Sequence, residues 1–245
     1  MQKETLLDIE WLWRELPMTL QVALMASDGW LLASDRRSGE YSNPGDDSAA
    51  FVARDVRKIE LVPDCQLAFA CAGAEEVRQA GAALVRRLRT PASSFNWSDL
   101  QNELTRLAMS SPSKMALPFG FSRLTVALFN IELQIPQLWT VDFARQGMTP
   151  RLPEIISEWT LAGDFNNGAR LLPQLYYSKR SCRELTRLAA WTILFAGLFN
   201  PSSVSGVDVL IGENGSPARF LSDKELNQLR DEFQDFHALV GQRLK

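Results

Sequence analysis

The stretch "PMTLQVALMASDGWLLASDRR", residues 17–37, decides how this chain is expected to fold. After Thr19 the residues alternate between two faces, which is the period of a β-strand. The dipeptide Asp28-Gly29 then gives a strong hairpin signal, because both central positions of such a turn favour positive φ. The segment "WLLASD" returns as the second strand. We therefore expect an antiparallel hairpin with Thr19 at its head.

The composition is that of an ordinary globular protein, with 46% hydrophobic and 22% charged residues among 245. A net charge of -3 gives no electrostatic reason to expect nucleic acid or an anionic membrane as a partner. The longest apolar run, "AAWTILFAGLF", has eleven residues, whereas a membrane-spanning helix needs about 20. Three cysteines without CxxC spacing are typical of reduced thiols in the cytoplasm.

The single histidine, His237, excludes a zinc site with several histidine ligands. Ser-His-Asp catalysis is possible only through this residue, which lies on an amphipathic helical pattern near the C-terminus and is expected to be a surface or packing residue. If the protein is an enzyme, we therefore expect a general base other than imidazole. No metal or other cofactor is predicted.

The order of predicted elements is strands, two helices, strands, two helices, a hairpin and a helix. This order lacks the regular βαβ alternation of a doubly wound parallel sheet. We expect an α+β fold, a four-layer αββα sandwich of two stacked, mainly antiparallel sheets between helix pairs. Residues 38–54 are polar and predict a loop or an extended insertion. Residues 1–18, called the leader below, predict an amphipathic helix over 6–16, and residues 19–245 predict one domain.

Three blocks of sequence resemble the proteasome β-subunit family of N-terminal nucleophile hydrolases, including its HslV type. Thr19 heads a strand, and "LLASDRR" is similar to the family's A-x-D-x-R pattern. "VRKIELV" is similar to its V-x-K-[IV] segment, and "LAFACAGAEE" is similar to the strand that runs into an A-G-containing turn and a helix. The later segments "TVALFNIELQIPQLWTVD" and "SVSGVDVLI" extend the resemblance to about residue 235.

The resemblance implies that Thr19 is a nucleophile. A hydroxyl needs a neighbouring base, and the α-amine of an N-terminal threonine, with a pKa of about 8, can take its proton. This base exists only if residues 1–18 are removed, either by autocatalytic cleavage at Met18-Thr19 or because Met18 is the true start and is trimmed. The alternative is that the leader is a permanent helix packed on the body or on a neighbouring subunit.

The resemblance places Lys58 beside Thr19, where its charge would favour the deprotonated amine and hydroxyl. Asp35 would orient Lys58 and keep it charged despite partial burial. Without the resemblance, Lys58 and Glu60 would be interpreted as the solvated face of a strand.

Gly73 is the candidate backbone N–H donor to the oxyanion, because such a turn needs a small residue where the substrate approaches. The alignment could slip by one or two residues toward Cys71, itself expected to be a core thiol. Asp164, in "AGDFNNG", stands at or next to the position where the family commonly has a supporting serine. Its carboxylate could still accept a hydrogen bond from the threonine amine.

A second supporting serine is matched to Ser205, with Ser202 and Ser203 as alternatives. A further departure is the interval of 22 residues between Asp35 and Lys58, which is longer than usual in the family. We therefore expect a longer loop beside the site. These departures bear on catalytic efficiency more than on the fold.

Three functions are compatible with the sequence. The first is a threonine-type endopeptidase that hydrolyses unfolded polypeptides inside a homo-oligomeric ring, fed by an AAA+ ATPase unfoldase, as the resemblance implies. The second is a non-catalytic ring or scaffold subunit that retains its leader. The third is an amidase that cleaves small acylated amides. The first is the preferred hypothesis.

Overall fold

The structure is a computed structural model, and it describes residues 19–41, 51–62, 67–73, 75–88, 97–110, 122–130, 133–143, 151–163, 174–177, 179–201 and 204–243. The leader, with the helix predicted over 6–16, lies outside the described residues. So does most of the helix predicted near residues 166–178, whose described part contains a short 3₁₀ turn at Gln174 and Leu175. The division into a leader and one domain stays a prediction.

Twelve strands and four α-helices lie in the described ranges. The strands are β1 (Leu20–Ala26), β2 (Gly29–Ser34), β3 (Arg37–Tyr41), β4 (Phe51–Asp55), β5 (Ile59–Val62), β6 (Leu67–Ala72), β7 (Ser122–Asn130), β8 (Ile135–Phe143), β9 (Glu154–Ile156), β10 (Trp159–Gly163), β11 (Asp208–Glu213) and β12 (Arg219–Phe220). The helices are α1 (Glu75–Leu88), α2 (Trp97–Ser110), α3 (Cys182–Phe199) and α4 (Asp223–Arg243).

The predicted hairpin is confirmed and forms the centre of the first sheet. β1 and β2 pair antiparallel with Leu24 opposite Leu31, and the sheet runs in the order β10-β1-β2-β11-β12. Leu24 and Leu31 are fully buried, and burial of each such side chain contributes about 1.5–3 kcal/mol. The hydrophobic pattern therefore fixes the register, since a slip by one residue would turn this face to the opposite side.

The second sheet runs in the order β5-β6-β7-β8-β9, with every neighbouring pair antiparallel. The segment expected to be a loop or an extended insertion contains a separate two-stranded sheet of β3 and β4. Arg37 pairs with Asp55 and Tyr41 pairs with Phe51. Ten of the 22 residues between Asp35 and Lys58 therefore lie in two paired strands.

The two sheets stack face to face, and each is covered on its outer face by a helix pair. Apolar side chains of both sheets, including Trp30 of the first sheet and Ile59 of the second, form the layer between them. α3 packs on the first sheet with α4 packed against it, while α1 and α2 pack on the second sheet. The four-layer αββα sandwich is therefore confirmed. None of the helices in the described ranges is both long enough and apolar enough to span a membrane.

The first turn of α3 is fixed both locally and by the hairpin. The Ser181 hydroxyl accepts a hydrogen bond from the Glu184 amide, and the Glu184 carboxylate accepts one from the Ser181 amide, which is a capping box. The Asp28 carboxylate accepts a bond of 2.7 Å from the Cys182 amide. The residue that makes the β1–β2 turn therefore also holds the helix that covers the hairpin.

The start of α4 provides a pH-dependent contribution to stability. The Glu225 carboxylate accepts hydrogen bonds from the Ser222 amide and hydroxyl and pairs with Arg219. Hydrogen bonding from Arg219, then from Ser222, lowers the pKa of Glu225 from its ordinary value of 4.5 to about 2. A lowered folded-state pKa adds stability above about pH 4.5, and this stability is lost as the pH falls toward 2.

We expect Glu225→Gln to lower the free energy of unfolding at pH 7 by about 0.5–1 kcal/mol, a modest value because the pair is exposed. Urea denaturation of both proteins from pH 7 to pH 3 should show this difference shrinking below pH 4.5. A difference that stays constant over this range would contradict the assignment of the effect to the charged carboxylate.

Candidate active site

The candidate site is built by three segments that meet at the end of the first hairpin. Thr19 precedes β1, Asp35 follows β2, and Lys58 precedes β5 of the second sheet. The antiparallel pairing of β1 with β2 brings Thr19 near Asp35 although 15 residues lie between them, and sheet stacking supplies Lys58 from the other side. The hairpin sequence thus determines two of the three positions.

Asp35 is fully buried, and among the described residues its carboxylate accepts hydrogen bonds from Leu20, Arg37 and Lys58. Its Oδ1 accepts a hydrogen bond of 2.8 Å from the Leu20 amide, and its Oδ2 accepts one of 2.9 Å from the Arg37 amide. Lys58 Nζ donates to both oxygens, at 3.0 and 2.8 Å. Because backbone donors hold the carboxylate from two sides, its orientation is fixed independently of Lys58.

Lys58 Nζ also donates a hydrogen bond of 3.0 Å to Thr19 Oγ1. Its side chain is only 9% exposed, so the ammonium lies in a region of low dielectric between a carboxylate and a hydroxyl. An ammonium has three donors and no acceptor. The Thr19 hydroxyl hydrogen therefore cannot point at Lys58, and it remains available to a base on another side.

Burial shifts the pKa values of the pair toward each other. Burial lowers the pKa of the Lys58 ammonium, and the charge of Asp35 and its hydrogen bond oppose this shift. Burial likewise raises the pKa of Asp35, against the charge of Lys58 and the hydrogen bonds that the carboxylate accepts. Lys58 is therefore closer to releasing a proton than a lysine in water, as is common for lysines at reactive centres.

Gly73 lies directly after β6, at the end of the second sheet that also carries Lys58. Ile59 pairs with Ala70, so Lys58 and Gly73 both lie beyond the same end of the β5–β6 pair. Gly73 has a φ of +102°, and a Cβ there would collide with Ser122. The chain at this turn therefore requires glycine.

Ser205 reaches the site through its backbone. Its carbonyl accepts a hydrogen bond of 2.8 Å from the Arg36 amide, one residue beyond Asp35. The Arg36 side chain packs on Gly206 and pairs with the buried carboxylate of Asp208. Ser205 is thus bonded to the residue that follows Asp35, and it also lines a cleft between α3 and α4. Asp164 lies outside the described residues.

Gly163 also belongs to the site, although the sequence did not identify it as a site residue. It pairs with Leu20 across β10 and β1 and has a φ of +105°. A Cβ at this position would collide with the backbone carbonyl of Thr19. The sequence shows a glycine directly before Asp164 in "AGDFNNG". Only the pairing of β10 with β1 shows that this glycine faces Thr19.

His237 lies on α4 in the outer helix layer, stacked with Phe233, and the site between the sheets does not use it. Within the described segments, no group of three or more histidine, cysteine, aspartate or glutamate side chains could hold a metal ion. The chemistry available at the described site is that of a hydroxyl, an ammonium and a carboxylate.

Comparison with solved structures supports the fold. The chain is similar to Anbu from Hyphomicrobium sp. strain MC1, with 16% identity, a TM-score of 0.65 and coverage of 92% of this chain and 98% of that one. A Gly-1 mutant of that protein matches with 16% identity, a TM-score of 0.64 and coverage of 93% and 98%. Anbu (ancestral beta-subunit) from Yersinia bercovieri matches with 16% identity, a TM-score of 0.62 and coverage of 92% and 98%.

No family model matches the chain, and no curated protein sequence matches it. The sequence resemblance predicted membership of the proteasome β-subunit and HslV-like family of N-terminal nucleophile hydrolases, and this prediction is wrong. The structures that match are Anbu proteins, relatives at the level of the proteasome-like fold, and an identity of 16% shows the fold alone. The proteasome-like αββα fold itself is confirmed.

Proposed function

We propose that the protein is a threonine-type endopeptidase whose nucleophile is Thr19 Oγ1. The observation that carries the proposal is the Lys58 ammonium, which bridges Thr19 Oγ1 and the buried Asp35 carboxylate. A lysine oriented in this way lowers the free energy of an alkoxide at Oγ1 through its charge and its hydrogen bond. The proteasome-like fold is consistent with this use of the site.

The general base is the α-amine of Thr19. In the intact 245-residue chain this nitrogen is part of the peptide bond with Met18, and an amide nitrogen is not a base. Activation therefore includes cleavage of the Met18-Thr19 bond. The freed amine takes the hydroxyl proton while Oγ1 attacks the substrate carbonyl, and it passes the proton to the departing amine. Water then hydrolyses the acyl ester.

The turn at Gly73 is the proposed donor to the oxyanion. Gly73 is exposed and lies beyond the same end of the β5–β6 pair as Lys58. A backbone N–H is suited to this role because its position does not depend on a side-chain rotamer. Asp164 and Ser205 remain proposed supports of the Thr19 amine.

Homo-oligomerisation belongs to the proposal, with unfolded polypeptide as the substrate and an AAA+ ATPase as the unfoldase. Exposed large apolar side chains on and beside β8 and β9 of the second sheet support contacts between copies. These residues are Leu133, Ile135, Leu152 and Ile155. Sedimentation velocity at micromolar concentration should give an oligomeric mass, and a mass of 27.5 kDa would remove this part of the proposal.

Intact mass spectrometry of the purified full-length product, followed by treatment with a peptide epoxyketone, tests the catalytic proposal. We expect a chain that begins at Thr19 and gains the full mass of the inhibitor. The hydroxyl adds to the ketone and the free amine opens the epoxide, so no group leaves.

Thr19→Ser should keep the adduct, because serine also supplies a hydroxyl beside the amine, whereas Thr19→Ala should lose it and all peptide hydrolysis. A chain that retains residues 2–18 and forms no adduct would overturn the proposal and favour the non-catalytic ring component. Cleavage of small acylated amides without cleavage of peptides would favour the amidase.

A further inference from the structure

A cleft of about 310 Å³ lies between α3 and α4, in the outer helix layer. Its apolar lining consists of Ile193, Leu194, Gly197, Leu198, Val204 and Phe233. Its polar lining consists of Ser205, Arg230, Gln234 and His237, and the backbone of Gly206 completes the lining. An apolar cleft of this size with a few polar groups has the character of a small-molecule site.

The charge of the cleft has one sign. Its lining contains a guanidinium and an imidazole but no aspartate or glutamate. Among the described residues, Arg230 donates a hydrogen bond of 3.0 Å to the neutral Asn227 Oδ1, and it forms no ion pair with a carboxylate there. By contrast, Arg187 on the same helix pair forms an ion pair with Glu232. Arg230 therefore presents an uncompensated cation beside an apolar wall.

We propose that this cleft binds a small apolar monocarboxylate, with its carboxylate on the Arg230 guanidinium and its hydrocarbon chain against Leu194, Leu198 and Phe233. The guanidinium fork matches a carboxylate with two parallel hydrogen bonds. The apolar chain removes water from Leu198, which is 47% exposed, and from the half-buried Leu194. An ammonium head group would instead meet the Arg230 cation, and an alcohol would lose the ion pair.

A ligand in the cleft should also reduce local opening of the segment that forms one of its walls. The Val204–Gly206 segment lines the cleft, and its Ser205 carbonyl accepts the Arg36 amide hydrogen bond. A ligand that contacts this segment raises the free energy of its local opening. Hydrogen exchange of the Arg36 amide therefore slows on binding, whether or not the protein is a peptidase.

Titration calorimetry with octanoate on the full-length protein tests the proposal, with octan-1-ol and octylammonium as probes of equal chain length. We expect saturable one-site binding of octanoate and at least tenfold weaker binding of the other two. Arg230→Met should weaken octanoate binding about tenfold or more. Arg183→Met, which removes an exposed cation from α3 outside the cleft lining, should leave binding unchanged.

Leu198→Trp provides a second variant, since it narrows the cleft from a partly exposed position and should also weaken binding. Circular dichroism and thermal unfolding of each variant establish that it is folded. Absence of saturable octanoate binding, equal affinity for octanoate and octylammonium, or unchanged affinity in Arg230→Met would each overturn the proposal. Slower exchange of the Arg36 amide with octanoate, but not with octylammonium, would support it.

Discussion

Replacing Lys58 by methionine is expected to reduce the proposed peptidase activity by about 10²–10³-fold and to lower the free energy of unfolding by about 3–5 kcal/mol. The variant removes the only side chain described as bridging Thr19 Oγ1 and Asp35. It also leaves the Asp35 carboxylate buried without its cation. Urea denaturation at 25 °C measures the second effect without any assumption about catalysis.

The pH dependence of this destabilisation identifies its cause. Without Lys58, burial raises the folded-state pKa of Asp35 further above its unfolded value. Below about pH 4 the Asp35 carboxyl is protonated in both the folded and the unfolded state, and the Lys58→Met variant has its full stability. This stability is lost as the pH rises through the folded-state pKa of Asp35. The deficit relative to the wild-type protein should therefore be larger at pH 8 than at pH 5.

The double variant Lys58→Met/Asp35→Asn is the control, because it removes the buried charge as well as the cation. Its free energy of unfolding should change less between pH 5 and pH 8 than that of Lys58→Met, although one backbone N–H of Leu20 or Arg37 then faces an amide NH₂ instead of an acceptor. A single-variant deficit that is equal at pH 5 and pH 8 would show that lost packing, and not the charge of Asp35, causes the destabilisation.

The sequence was sufficient to predict the parts of the molecule that follow local rules. Alternation of apolar residues around Asp28-Gly29 predicted the hairpin, and the hairpin alone brings Thr19 next to Asp35. Helix periodicity and the capping serine at Ser222 predicted α4. The layer order followed because each amphipathic helix pair must cover one face of a sheet.

The remaining parts depend on contacts between residues far apart in sequence. The polar residues 38–54 carry too weak an apolar alternation to predict β3 and β4, which pair mainly with each other. The backbone amides of Leu20 and Arg37 donate hydrogen bonds to Asp35, and a pattern of side chains does not predict backbone donors of this kind. The role of Gly163 appears only once β10 is known to pair with β1, and this pairing joins segments about 140 residues apart.

Gly163→Ala is expected to destabilise the protein by about 3 kcal/mol or more. A φ of +105° is unfavourable for an L-residue with a side chain, and the new Cβ would collide with the Thr19 carbonyl. The obstacle is backbone and cannot rotate away, so β10 must separate from β1 at this point. Because Thr19 Oγ1 lies 3.0 Å from Lys58 Nζ, even a small separation breaks the contact on which the proposed chemistry depends.

Gly215→Ala is the matched control for the backbone strain. Gly215 has a φ of +76°, and a Cβ there would meet no atom within 4 Å, so its replacement should cost only about 1–2 kcal/mol. The difference between the two variants in urea denaturation measures the collision at Thr19, separated from the unfavourable φ. Equal destabilisation would show that Gly163 is required only for its backbone conformation. A larger loss in Gly163→Ala, with activity lost in the fraction that remains folded, would show that this glycine sets the position of the nucleophile.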